Sequence, residues 1–294
     1  MSAFIDAHRD RFGVEPICRI LGFSESAYYR RRSGARSRRS VEDEQLVSVI
    51  CNLHARNWYA YGARRMWLAL RRAGHDVGRD RVRRLMRSNG IEGAKRRGKR
   101  IRTTTPDSAV LRPADLVERN FAASRPDALW VADFTYLRSW QGVSYFSFVL
   151  DAYSRRIVGW QLATSMRTSL VLDALRMALS RRQAGADVTL VHHSDAGSQY
   201  LSNDFQQVLD DHRVLASIGS VGDAYDNAMA ESFVDTFKTE LIADRVFKTH
   251  RQLELAILRW VAWYNSERLC ERIGDIPPAE YEALHYATAT EPAA

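Results

Sequence analysis

Residues 128–164 read ALWVADFTYLRSWQGVSYFSFVLDAYSRRIVGWQLAT. Three runs within them, 128–137, 143–154 and 156–164, are rich in Val, Ile, Phe, Tyr and Trp, side chains that fit a pleated, half-buried surface. Short connections around Gly142 and at Ser154–Arg155 separate the runs, so they predict a three-stranded antiparallel meander. Downstream the period changes. Val171, Ala174, Leu175, Ala178 and Leu179 share one stripe of a helix expected over 168–181. A strand follows at 188–195, then a helix near 203–212, a short strand at 215–219 and a helix near 227–242. The last helix, 250–266, puts Leu253, Ile257, Trp260, Val261 and Tyr264 on one face. A meander followed by alternating helices and strands predicts a mixed five-stranded α/β sheet covered by helices.

Toward the N-terminus the chain turns helical and basic. Helices are expected at 15–21 and 25–32, the second capped by Ser24 and ending in Arg30, Arg31 and Arg32. A basic Ser/Gly-rich linker, SGARSRRS (33–40), leads to helices at 41–56, 62–73 and 79–88, with Gly74 placed to end the middle one. On the last of these, Val82, Leu85 and Met86 form an apolar edge, while Arg79, Arg83 and Arg87 line another face. A helix, a turn containing Gly and an arginine-lined helix form a helix-turn-helix pattern, so Arg79, Arg83 and Arg87 are expected to contact DNA. Lys95, Arg96, Arg97, Lys99, Arg100 and Arg102 then lead into TTTP, a basic connector suited to phosphate contacts.

The charge is divided in the same way. The 294 residues carry a formal net charge of +8. Residues 1–100 hold 24 basic and 10 acidic residues, a balance of +14, which leaves −6 for 101–294. This is a polyanion-binding region joined to a mildly anionic one. No apolar run approaches the roughly 20 residues of a membrane span. Cys18, Cys51 and Cys270 have neither zinc-site nor CxxC spacing, and a reducing cytoplasm is expected.

Three carboxylates stand where a packed sheet would not choose them. Asp133 lies inside the first strand, where aspartate is depleted and must be hydrated, paired or bound to metal. Asp195 closes the strand ending HHSD, at a carboxyl end where α/β sheets place ligands. Glu231 lies on the helix opened by Asp226 and Asn227, about 160° from the Met229, Phe233 and Phe237 face, with Lys238 within about 20° of it. Together they make a hard-oxygen set suited to two divalent ions acting on a phosphodiester. Strand alternation puts at most one of His192 and His193 on the site's face, His192 being the structural one. Trp260 and Trp263 offer surfaces for stacking on bases, although Trp260 lies on the core stripe; GSQY (197–200) reads as a turn.

These residues resemble a known family, the second-reading-frame product (OrfB) of IS-three-family bacterial insertion sequences, a DDE transposase with a retroviral-integrase-like core. WVADFTYL around Asp133, HHSDAGSQY around Asp195 and DAYDNAMAESFVDTFKTEL around Glu231 carry the resemblance. The 35 residues between Asp195 and Glu231 match the DD(35)E spacing, and Lys238 falls where the family has a basic residue. FGVEPICRILGFSESAYYRRR, YGARRMWLALRRAGHDVGRDRVRRLMRSNGI and WYNSERLCERIGDIPPAEYE extend the likeness over nearly the whole chain, with Cys270 standing where the family often has histidine.

The resemblance implies a ribonuclease-H-like core at 123–285, preceded by a basic helix-turn-helix-like region at 1–92 and a linker at 93–122, with a tail at 286–294. It implies two Mg²⁺ or Mn²⁺ ions, Asp133 bridging both and Asp195 and Glu231 each binding one. It implies nicking of an element end followed by attack of the freed 3′-hydroxyl on another strand, with Lys238 on DNA. The expected partners are double-stranded DNA, further copies of the chain in a synaptic complex, and the upstream OrfA product, either separate or joined as a frameshift fusion. A bacterial, nucleoid-associated location in the cytoplasm would follow. Two other classes fit the residues less fully: a DNA-binding regulator that does not cut, and a ribonuclease-H-like nuclease that does not join.

Overall fold

The computed structural model describes residues 1–34, 36–95, 113–182, 189–219, 227–243 and 245–289. Its centre is a five-stranded sheet: β1 (Leu129–Ser139), β2 (Gly142–Asp151), β3 (Ile157–Ala163), β4 (Leu190–Ser194) and β5 (Val214–Ile218). The order is β3-β2-β1-β4-β5, with β1–β2 and β2–β3 antiparallel and β1–β4 and β4–β5 parallel. The predicted meander and the mixed sheet are both present. β2 stops three residues short of the expected end. Asp151 turns the chain there, its carboxylate accepting from the Ser154 amide and hydroxyl, both at 2.7 Å, and from the Asp127 amide at 2.8 Å.

Alternation along the strands sends side chains into two cores. Trp130, Ala132, Val149 and Val158 face α7 (Thr168–Arg181) and α8 (Asn203–Asp211). Leu129, Val131, Leu137, Phe146 and Phe148 share the other cluster with α9 (Ala228–Phe237) and α10 (His250–Ser266). The helix expected over 227–242 is α-helical only to Phe237; Lys238–Ile242 is a π-helical turn. A last helix, α11 (Pro278–Ala289), was not legible in the pattern. Its Glu282 receives a bidentate pair from Arg182, both bonds at 2.6 Å, and Arg156 and the Tyr153–Tyr281 ring contact add to the docking.

Gly159 sets the spacing of one layer. A Cβ there would meet the Ala174 carbonyl oxygen and Ala178, so α7 lies directly on the β3 backbone. Gly159→Ala is expected to cost about 1–3 kcal/mol in urea unfolding, because the helix has to back away from its own core. A loss below about 0.5 kcal/mol, within the range of ordinary surface changes, would show that the layer yields.

The N-terminal part consists of α1 (Ser2–Phe12), α2 (Val14–Leu21), α3 (Glu25–Arg32), α4 (Arg38–Arg56), α5 (Ala63–Arg72) and α6 (Arg79–Ser88). α1 was not expected, and α4 starts inside the expected linker, capped by Ser37, whose side chain accepts from the Ser40 amide. Buried residues of α4–α6, among them Ile50, Met66, Leu70, Val82 and Met86, belong to the same cluster as the sheet's α9–α10 face. Tyr61 and Trp263 meet in this seam, and the Trp263 indole donates to Asn57 at 3.2 Å. Trp260 and Trp263 are therefore both core residues, and neither is free to stack on a base.

Candidate active site

β1 and β4 bring the two aspartates together. Their parallel register pairs Val131 with His193, so Asp133, two residues further along β1, and Asp195, the residue just past the end of β4, come near enough for each charge to act on the other. Asp133 points to the α9 side, as the buried neighbours of equal parity, Leu129 and Val131, show, and as the charges of Glu231 and Lys238 felt there agree. The Asp133 carboxylate accepts the Phe134 amide at 2.7 Å, and Asp195 accepts the Gly197 amide at 3.1 Å. A Cβ on Gly197 would sit 3.0 Å from the Asp195 oxygen, so a larger residue there would press on that carboxylate.

The electrostatics follow from this crowding. Burial raises the Asp133 pKa well above the ordinary carboxylate range; Asp195 and then Glu231 raise it further, while the Phe134 amide and Lys238 oppose the rise. Burial also raises Asp195, partly offset by the Gly197 amide and by His193. Like charges that share a site resist joint ionisation. A hard divalent cation relieves that strain, so the donor set fits one chemically. Among the described residues, no group of three His, Cys, Asp or Glu side chains stands close enough to hold a metal ion. Glu231, on the first turn of α9, acts on Asp133 through its charge without closing that set.

α9 is positioned by its apolar face. Met229, Ala230, Phe233 and Phe237 are buried, with Phe233 against Phe148 and Phe237 stacked on Phe146. Asn227 reaches the Ala132 carbonyl at 3.4 Å, so the helix begins beside the strand that carries Asp133. Lys238 opens the π-helical turn with its ammonium 4.8 Å from the Tyr136 ring centroid. Burial lowers the Lys238 pKa, and Asp133 works against that change.

The two histidines divide as expected. His192 packs against Tyr200 and Phe205, and burial lowers its pKa to about 3. His193 Nδ1 lies 2.9 Å from Ser217 Oγ, in a network with Asp115 and the Leu116 amide that fastens residues 115–117 to the sheet. Sequence reading missed Tyr200. It is buried, and desolvation followed by the charges of Asp133 and Asp195 pushes its hydroxyl far up. An aromatic side chain directly after the Gly-Ser-Gln turn was the available signal.

The basic residues separate into two kinds. Arg79, Arg83 and Arg87 are exposed on α6 and make no ion pair among the described residues, whereas Arg81 and Arg84 both bind Asp43. On α5, Arg64 binds Asp275 with bonds of 2.7 and 2.6 Å, Arg72 binds Glu280, and Arg65 reaches Glu240. Lys95 pairs with Glu92 at 2.5 Å. Arg96, Arg97, Lys99 and Arg100 lie outside the described residues.

A mixed sheet of this order, with one aspartate inside its central strand β1 and another just past the carboxyl end of the neighbouring parallel strand β4, defines a ribonuclease-H-like integrase core. Known families agree. Residues 123–224 and 212–278 match profiles described as integrase core domain, and 41–100 match one described as HTH-like domain. The chain is 45% identical over 294 residues to the transposase for insertion sequence element IS629 of Shigella sonnei, covering 98% of this chain and 97% of that one. It is 31% identical to transposase InsF for insertion sequence IS3A of Escherichia coli, covering 97% and 99%. Among solved structures, the HTLV-2 integrase catalytic core domain in complex with magnesium matches at 13% identity and a TM-score of 0.40, over 55% of this chain and 99% of that one. The chain belongs to the insertion-sequence transposase family, with an integrase core and an HTH-like domain. Among the described residues, no helix is long and apolar enough to cross a membrane.

Proposed function

We propose that this chain cuts DNA at the ends of an insertion sequence and joins the freed 3′-hydroxyl to a target strand in one transesterification. The reading rests on one observation: Asp133 on β1 and Asp195 at the end of the parallel β4 share one charged site, and the helix of Glu231 begins beside β1. Asp133, Asp195 and Glu231 would hold two Mg²⁺ or Mn²⁺ ions, which when bound supply activation of water or a 3′-hydroxyl and stabilisation of the leaving oxygen. The chain's own residues prepare that site. The Phe134 and Gly197 amides orient the two aspartates, and the α9 core contacts fix the helix from which Glu231 acts on Asp133 through its charge. Lys238, poised over Tyr136, offers its ammonium to a DNA phosphate at the site's rim. Arg79, Arg83 and Arg87 supply backbone contacts on duplex DNA, continued by Lys95, Arg96, Arg97, Lys99 and Arg100 of the linker.

The partner is double-stranded DNA, both element end and target. Joining two ends calls for at least two copies of the chain, and the upstream OrfA product is a candidate helper. Such work would take place beside the chromosome, in the cytoplasm. The test is nicking and joining on a supercoiled plasmid that carries the element's ends, with Mg²⁺ or Mn²⁺. Wild type is expected to yield nicked and joined products, with or without added OrfA, and Glu231→Gln is expected to yield neither. Equal nicking by both proteins would overturn the carboxylate assignment; nicking without joined products would favour a plain nuclease.

A further inference from the structure

Residues 1–32 form a unit with its own core, outside the segment that matches the HTH-like profile. Ile5, Ile17, Cys18 and Tyr28 are buried together, with Val14 and Phe23 against them. Two long-range bonds tie α3 back to α1: Tyr28 donates to Asp6 at 2.7 Å, and Arg31 donates to Ser2 at 3.0 Å. α2 ends at Gly22 with a left-handed φ of 61°, and Ser24 caps α3 by accepting from the Ala27 amide. Only Gly22, Phe23 and Ser24 separate the two helices. A three- or four-residue turn between two helices is the geometry that sets a recognition helix into the major groove. The pair α5–α6 has six residues between its helices, and Arg64, Arg65 and Arg72 of α5 are bound to acids of the core.

Buried Tyr28 fixes the roll of α3. At about 100° per residue, Ser26 and Arg30 lie roughly opposite Tyr28, flanked by Tyr29. All three are exposed, and Arg30 and Arg32 make no ion pair among the described residues. Residues 1–40 carry nine basic and four acidic residues.

We propose that α2–α3 is a second DNA-reading element, with α3 in the major groove, Ser26, Tyr29 and Arg30 toward base edges, and Arg32 on a phosphate. Arginine at such a position pairs bidentately with guanine. The proposal rests on the proposed action on DNA. Its test is separate, because binding is measured in EDTA, where cleavage plays no part.

Fluorescence anisotropy of the full chain would compare a duplex carrying the element's terminal repeat with a scrambled duplex. Arg30→Ala is expected to weaken terminal-repeat binding roughly 10–100-fold, with a much smaller loss on the scrambled duplex. Arg30→Lys should restore the scrambled affinity without the preference, since lysine keeps the charge and loses the fork. Melting curves that match wild type would establish that both variants fold, as expected for an exposed side chain. Wild-type preference in both variants, or no preference in wild type itself, would overturn the proposal. Unchanged DNA binding with an altered sedimentation coefficient would overturn it too, and would make this face a protein contact instead.

Discussion

Asp133→Asn is expected to lower strand cleavage by roughly 10³-fold or more and, at the same time, to raise the melting temperature of the metal-free protein. The loss follows from removing a carboxylate that acts as part of a unit. The gain follows from the site's electrostatics: Asp133 is driven up by burial, by Asp195 and by Glu231, so its charged form is a cost the fold carries. Asparagine keeps the oxygen that accepts the Phe134 amide and drops the charge. A gain of about 1–3 kcal/mol corresponds to roughly 2–5 °C in a protein of this size. The sign depends on pH. A carboxyl whose folded pKa exceeds its unfolded value carries no penalty below the ordinary carboxylate range, near 4, and the penalty grows as pH rises toward the folded value. The stabilisation should therefore be large at pH 8 and vanish near pH 4. Adding Mg²⁺ or Mn²⁺ should stabilise wild type and leave the variant unmoved, because a cation relieves the same repulsion. Scanning calorimetry at the two pH values decides it. A variant less stable than wild type at pH 8 would mean that Asp133 is held by favourable contacts rather than in tension.

Much of this site is readable without coordinates because it rests on local rules. The meander announces itself by composition, and Asp133 stands out because aspartate is costly in a strand. What escaped was held by distant partners. α1 has no side-chain cap and is kept by Ile5 in the small core and by Tyr28, 22 residues away. Trp263 sits on an amphipathic helix like a stacking residue, yet Asn57, Trp58 and Tyr61 cover it from the other end of the chain. The acidic partners of Arg64, Arg65 and Arg72 on α5, namely Asp275, Glu240 and Glu280, likewise lie 175 or more residues away, beyond the reach of any local pattern. The π-helical turn has no compositional signature, because its anchor lies 28 residues downstream.

That anchor carries the second large prediction. Glu240→Ala is expected to cost about 3–5 kcal/mol, the penalty for orphaning a buried charge. Arg268 donates to Glu240 through Nε at 2.8 Å and Nη2 at 2.7 Å, with side-chain exposures of 6% and 5%. Burial works against the Arg268 charge, and Glu240 more than offsets it, so the arginine is held above its ordinary range. Arg65 adds a third contact from α5 at 3.2 Å; being 27% exposed, it should contribute about 1 kcal/mol or less. Glu240 lies within the turn that begins at Lys238, so its loss should also loosen the lysine over Tyr136 and lower strand-transfer activity in the protein that remains folded. Glu240→Gln keeps acceptor capacity without the charge and should fall between the two. The Glu240→Ala/Arg268→Ala double variant should be more stable than the sum of the single losses predicts, since removing the stranded cation removes most of the penalty. Urea unfolding of the four proteins tests the cycle. Additive losses, or a Glu240→Ala loss below about 1 kcal/mol, would show that water reaches Arg268 and that the π-helical turn is held by the packing of Phe237 and Leu241 instead.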